Sequence, residues 1–170
     1  MKLNIGCGKV IIPGWINVDV RGGNIKGDIR ALPFKDNSFH IVLASHVLEH
    51  ILDCRTAIHE LYRVLKSNAW LVIRVPYGVD GLYDPFHMRA FDLTTFRRFE
   101  YDDKQSLEYK RMFKIEKQYV SSYAIPFEKY IGKTRLLNHF PKRWPDIYRP
   151  WNPFPLTKRS EITCILRAIK

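Results

Sequence analysis

No stretch of the 170 residues approaches the roughly 18 unbroken apolar residues of a membrane-spanning helix. Nor does the chain open on the basic and then apolar run of a secretory leader, because Met1 to Ile5 leads straight into a strand pattern. Both absences point to a cytoplasmic protein without a transmembrane segment. Cysteine is scarce. Cys7, Cys54 and Cys164 are odd in number, far apart and set among apolar neighbours, which argues against a disulfide framework and a CxxC-type metal site; they read as reduced packing residues. Internal repeats are absent too. What remains is ordinarily globular at 46% hydrophobic and 26% charged, and the length suits one domain, residues 1–170, with a substantial core.

Acidic residues are outnumbered, 17 against 28 Lys and Arg, for a formal net charge of +11. The excess is concentrated. Between Tyr123 and Arg159 eight basic residues face only Glu128 and Asp146, so this segment alone carries +6. An anionic partner fits this charge, whether RNA, a phosphorylated metabolite or an acidic membrane surface; a merely solvated basic face fits it equally well.

The first two thirds of the chain alternate strand and helix signals. Lys2 to Ile5, Ile16 to Val20, Phe39 to Ala44 and Ala69 to Val75 are apolar runs of strand length. Between the last two, Asp53 offers an N-cap, and Ala57, Ile58, Leu61, Val64 and Leu65 recur at the spacing that buries one helix face. Ser67-Asn68 is expected to end that helix, since Asn tolerates the left-handed conformation. Asp92 to Phe99 suggests a short helix, and Phe113 to Val120 and Ile162 to Ile169 read as strands pairing antiparallel at one sheet edge. The expected fold class is α/β, a sheet of about seven strands, mostly parallel, with one antiparallel edge strand.

In such sheets the ligand lies beyond the carboxyl ends of the strands. After the first strand, Asn4-Ile5-Gly6-Cys7-Gly8 has two glycines that permit a tight turn and close approach of a ligand to the backbone. Asp19 ends the second strand, where a carboxylate can accept both hydroxyls of a ribose. Gly27-Asp28-Ile29 then sets an acid and an apolar side chain at the next strand end.

These segments resemble, in order, the motifs of class I S-adenosylmethionine-dependent methyltransferases. The resemblance rests on Leu3 to Gly8, Pro13 to Asp19, Gly27 to Phe34 and Ser45-His46-Val47-Leu48-Glu49-His50-Ile51. It is strongest to small predicted methyltransferases with an LNLGCG start and an SHVLEH segment, and it covers roughly residues 2 to 100. It implies a Rossmann-like methyltransferase fold with S-adenosylmethionine as cofactor. Gly6 and Gly8 would line its methionine end, with Asn4 and Cys7 in the same turn, and Asp19 would bind the ribose. Asp28 and Ile29 would hold the adenine, and Ser45 and His46 would lie under the sulfonium. As an exposed strand-end acid, Asp19 is expected to matter little for folding. Many relatives carry an acid where Asn4 stands and a third glycine where Val10 stands. The interval from Gly8 to Ile16 is also too short for a full crossover helix, so a first helix of about one turn is expected.

Rival readings are weaker. A nicotinamide-binding domain wants a third glycine where Ile11 stands and an acid later than Asp19. His46 to His50 matches the H-x-x-E-H zinc motif, but it directly follows a strand and lacks an evident third ligand, so no metal site is expected.

Candidates on the acceptor side come after the fourth strand: Tyr77, Asp84, His87 and Arg89. A nucleophilic acceptor needs little more than alignment, whereas a hydroxyl or amide acceptor needs a base. His87 and His46 are the candidates for that base, with Tyr77 beside them; packing of the loop is an equal use for His87. Residues 123–159, part helix around Phe127 to His139 and part proline-stiffened loop, read as a lid or substrate-binding insertion. Its aromatics and basic residues suit base stacking with phosphate contacts, an interfacial belt on anionic lipid, or a homodimer contact, and most of the aromatics would pack the lid to the core. The function expected is methyl transfer to an anionic or glycan-like acceptor. The alternative is a non-catalytic S-adenosylmethionine-binding or RNA-binding module that retains the fold.

Overall fold

The computed structural model describes residues 1–78, 82, 84–100, 111–122 and 160–170. The segment expected to form a lid, 123–159, lies outside the described residues. The strands are β1 (Lys2–Ile5), β2 (Ile16–Asp19), β3 (Ile25–Lys26), β4 (Phe39–Ser45), β5 (Leu65–Pro76), β6 (Phe113–Ser122) and β7 (Ser160–Ala168), with helix α1 (Cys54–Val64) between β4 and β5. They form one seven-stranded sheet in the order β3-β2-β1-β4-β5-β7-β6. All neighbours from β3 to β5 pair in parallel, and β7 runs antiparallel to both β5 and β6. The reversed strand therefore lies one place in from the edge, which is β6.

Side chains alternate between the two faces of the sheet. Leu3, Ile5, Val42, Ala44, Leu71 and Ile73 share one buried cluster with Ala57, Ile58, Leu61 and Val64 of α1. Ile41, Leu43, Val72 and Ile165 turn to the other face, where Ile12 and Trp15 cover them. The helix starts at Asp53, whose carboxylate accepts the Thr56 N–H at 3.0 Å. Its core stripe holds it to the sheet, and truncating the fully buried Leu61 to Ala would cost about 2–5 kcal/mol.

Two local expectations are corrected. Residues 6–15 form two turns rather than a one-turn helix, closed by Val10 N–H to Cys7 C=O (2.7 Å) and Trp15 N–H to Ile12 C=O (3.2 Å). Asn17 holds this crossover: its Oδ1 accepts from Ile12 N–H, and its Nδ2 donates to the Ile12 and Trp15 carbonyls. Helix α1 ends at Val64, not at Ser67-Asn68. Asn68 is left-handed (φ 58°) as expected, but it sits inside β5. There the register jumps from Phe39–Leu65 to Ile41–Trp70, and the left-handed residue lies among the unmatched ones. Of the helix expected over Asp92 to Phe99, Thr95–Phe99 is a 3-10 turn. The Asp92 carboxylate precedes it and accepts the Thr94 and Thr95 N–H groups at 2.8 and 2.9 Å.

Candidate functional site

Strands β2 and β3 lie on one side of β1, while β4 and β5 lie on the other, so the winding reverses between β1 and β4. That reversal is where open α/β sheets place ligands. A cleft of about 710 Å³ lies there, within the range of about 300–1,000 Å³ usual for small-molecule sites.

The β1 end of the cleft is shaped by two glycines in the left-handed region, Gly6 (φ 64°) and Gly8 (φ 50°). A Cβ on Gly6 would collide with the Val47 side chain, whereas a Cβ on Gly8 would meet no described atom within 4 Å and would point into open space. Asp19, at the end of β2, accepts the N–H of Gly8 through Oδ2 and that of Arg21 through Oδ1, both at 2.9 Å. It thus braces the glycine loop, contrary to the expectation of an acid idle in folding. Each carboxylate oxygen can accept more than one hydrogen bond, so both retain capacity for ligand hydroxyls.

Beyond β3, Asp28 and Ile29 also border the cleft. Asp28 is paired with Arg30 (2.6 Å), which holds its carboxyl below the usual carboxylate range. Both side chains are at least a third exposed, so a ligand can reach Asp28 at little cost.

Three of the expected cofactor residues keep their side chains out of the cleft lining. Asn4 is buried, its amide donating to Val10 C=O and Asn17 Oδ1 at 2.9 Å each, so it stitches the crossover. Cys7 is buried with its thiol pKa raised, first by burial and then by the Asp19 charge. Ser45 is buried, and its hydroxyl has no hydrogen-bond partner among the described residues.

His46 does border the cleft, in a left-handed conformation (φ 53°) that costs a non-glycine residue on the order of 1–3 kcal/mol. Its surroundings sustain that strain. Nε2 lies 3.0 Å from Glu161 Oε2, Nδ1 lies 3.3 Å from Glu49 Oε1, and Glu161 in turn accepts from Arg74 Nη2 at 2.5 Å. Burial works against a charge on His46, but the bond to Glu161 and the contact with Glu49 outweigh it and raise its pKa above the ordinary histidine value. Glu161 shifts down, because His46 and Arg74 outweigh its burial.

On the side expected to face the acceptor, His50 and Phe86 border the cleft and His87 is in contact with His50, ring edge-to-face at 4.7 Å between centroids. The loop carrying His87 is clamped to the segment after β4. Met88 N–H donates to Glu49 C=O at 2.7 Å, and Arg89 Nη2 donates to the Ile51 and Leu52 carbonyls at 3.0 and 2.5 Å. Asp84 Oδ2 is 3.8 Å from His87 Nε2. Tyr77 is 38% exposed and outside the lining of the cleft; its N–H donates to Ser160 C=O at 3.0 Å. The H-x-x-E-H run is not α-helical, since Leu48–His50 is a single 3-10 turn. Its two histidines part company, His46 toward Glu161 and His50 toward His87. In the sequence, Glu49 and His50 stand out only within the H-x-x-E-H run, because His87, which meets them in the structure, comes from a loop remote in sequence.

A family model described as a methyltransferase domain matches residues 14–73, the stretch that carries Asp19, Asp28 and the His46 to His50 turn. The YcgJ protein of Bacillus subtilis superposes with a TM-score of 0.59 at 19% identity, covering 99% of this chain and 91% of that one. A SAM-dependent methyltransferase from Archaeoglobus fulgidus gives 0.55 at 17% identity, covering 98% and 85%. These two likenesses show the fold, and the family model adds the sequence. The chain thus has the fold of these methyltransferase neighbours, and residues 14–73 match a methyltransferase-domain family. Among curated relatives, the ubiquinone/menaquinone biosynthesis C-methyltransferase UbiE of Ruegeria sp. is 37% identical over 65 residues, 35% of this chain and 26% of that protein. The demethylmenaquinone methyltransferase of Streptomyces avermitilis is 47% identical over 47 residues, 28% of this chain and 20% of that protein. This methyltransferase-like chain spans less than a third of the length of these curated relatives in its matched region. No helix among the described residues is long and apolar enough to cross a membrane.

Proposed function

We propose that this chain is a methyltransferase that takes its methyl group from S-adenosylmethionine and passes it to an anionic or glycan-like acceptor. The observation that carries this reading is the convergence, around one cleft at the strand-order reversal, of Gly6 and Gly8, Asp19, and the Asp28-Ile29 pair. These residues suit the cofactor's parts. The bare backbone at Gly8 leaves room for the methionine portion, the spare lone pairs of Asp19 match ribose hydroxyls, and Asp28 with Ile29 offers an acceptor and an apolar contact to adenine. When bound, the cofactor supplies an electrophilic methyl on a sulfonium whose departure needs no proton.

The chain's own work is then to bind and align. His46, held between two carboxylates, is a positioning residue that fixes the end of the cleft nearest β4. His87 acts on the acceptor side, whereas Tyr77, outside the cleft lining, is assigned no part in it. The acceptor class rests on the +6 charge of residues 123–159, which we propose form a lid or substrate-binding insertion within a single methyltransferase domain. Incubation with methyl-labelled S-adenosylmethionine and, in turn, RNA, sugar nucleotides and lipid-linked glycans tests the reading. Label should move to one class, and His87→Ala should lower turnover without changing S-adenosylhomocysteine affinity. Tight cofactor binding with no transfer to any acceptor would favour a non-catalytic binding module.

A further inference from the structure

Glu49 is an oddity in the core. It is 1% exposed, and neither carboxylate oxygen has a hydrogen-bond partner among the described residues. Oε1 has the ion-pair contact with His46 at 3.3 Å, so one side of the group is compensated and Oε2 is not. A buried carboxylate oxygen without a donor is expensive, and a cation is one of the few things that can satisfy it.

Two imidazoles stand near the Glu49 carboxylate. One ligand atom from each of Glu49, His50 and His87 lies within 4.8 Å of the others. The surroundings already orient them. His50 Nδ1 lies 3.2 Å from the Phe86 carbonyl, which can only accept, so Nδ1 carries the hydrogen and Nε2 presents its lone pair. His87 has the Asp84 carboxylate 3.8 Å from its Nε2. The Met88 and Arg89 hydrogen bonds to the Glu49, Ile51 and Leu52 carbonyls hold the two ligand-bearing segments together.

We infer that Glu49, His50 and His87 form a binding site for one divalent transition-metal ion at the acceptor side of the cleft. Two imidazoles and one carboxylate suit zinc, manganese, iron or cobalt rather than calcium or magnesium, which prefer oxygen. Bonds of about 2.0–2.2 Å set tetrahedral ligand atoms roughly 3.4 Å apart, so the present spacing must contract, and exposed His50 is the side chain able to move. Three protein ligands leave a fourth position, and because His50 borders the cleft that position opens toward the acceptor. An oxygen acceptor placed there would be oriented and made more acidic.

The test needs neither cofactor nor acceptor, so its outcome is separate from that of the methyltransferase reading. Protein without a histidine tag is stripped with a chelator and titrated with Zn²⁺ by calorimetry and with Co²⁺ by visible absorption. One equivalent should bind, with cobalt bands of a nitrogen- and oxygen-ligated site, and Zn²⁺ should raise the melting temperature. His50→Ala and His87→Ala should each weaken binding by about tenfold or more, and the conservative Glu49→Gln should do so while circular dichroism reports a folded protein. His59→Ala, exposed on α1, should bind as the parent does. Failure of the folded parent to bind, or binding undiminished in both His50→Ala and His87→Ala, would overturn the site.

Discussion

The carboxylate of Asp19 accepts the backbone N–H of Gly8 at 2.9 Å, so the end of β2 holds the shape of the loop that leaves β1. Loop geometry and the proposed ligand binding therefore share one side chain. Asp19→Ala should lower stability in the absence of cofactor by on the order of 1 kcal/mol, because water can partly replace the lost acceptor at this exposed site. Hydrogen exchange at the Gly8 and Arg21 amides should speed up in the variant. Unaltered exchange would separate Asp19 from the loop.

Gly6 combines a left-handed backbone with a Cβ position occupied by Val47. Gly6→Ala should cost at least the about 1–2 kcal/mol of a left-handed alanine, with a packing penalty added. Adding Val47→Ala should recover the packing part and leave the backbone part. Denaturant titration of the single and double variants reads both. A double variant no more stable than Gly6→Ala alone would show that Val47 is not the obstacle.

Glu60 ties α1 to the segment after β3: Oε2 accepts Leu32 N–H at 2.9 Å, and both oxygens take the Arg63 guanidinium. The Arg63 hydrogen bonds hold its carboxyl below the usual glutamate range. Because Glu60 titrates lower folded than unfolded, its contribution is present at neutral pH and disappears as pH falls through its folded value. Glu60→Gln should thus be less stable than the parent at pH 7, and the gap should close as pH falls below the ordinary glutamate range and through the lowered folded value. A stability difference independent of pH would put the effect elsewhere.

Acceptor binding should weaken steeply with added salt if residues 123–159 grip a polyanion. Replacing Lys142 and Arg143 by Glu should weaken it further and leave S-adenosylhomocysteine affinity unchanged. Salt-insensitive acceptor binding would remove the polyanion reading.

Most of the sheet was legible because strand and helix periods are local properties. Leu3, Ile5, Val42 and Leu71 lie in runs that only a buried strand explains, and Asp53 caps the helix where its sequence position says. The misreadings come from tertiary competition. Asn68 adopts the left-handed turn expected of it, but Leu65 is drawn into pairing with Phe39, so the helix stops first. Asn4 looked like a ligand contact because it stands in the glycine turn, yet its amide is consumed by Val10 and Asn17. Asp19, Asp28 and Ile29 could be placed from sequence because each lies at or shortly after a strand end. The meeting of Glu49 and His50 with His87 could not, since it depends on a loop docked by the Met88 N–H and the Arg89 guanidinium on the carbonyls of residues 49, 51 and 52.

Calorimetric titration with S-adenosylhomocysteine tests the central claim, that the cleft between β1 and β4 binds this cofactor. Hydrogen bonds to a charged acceptor contribute about 1.5–3 kcal/mol each, so the parent should bind one equivalent and Asp19→Ala should bind about tenfold to a thousandfold more weakly. No binding by the folded parent, or equal affinity in the two proteins, would contradict it.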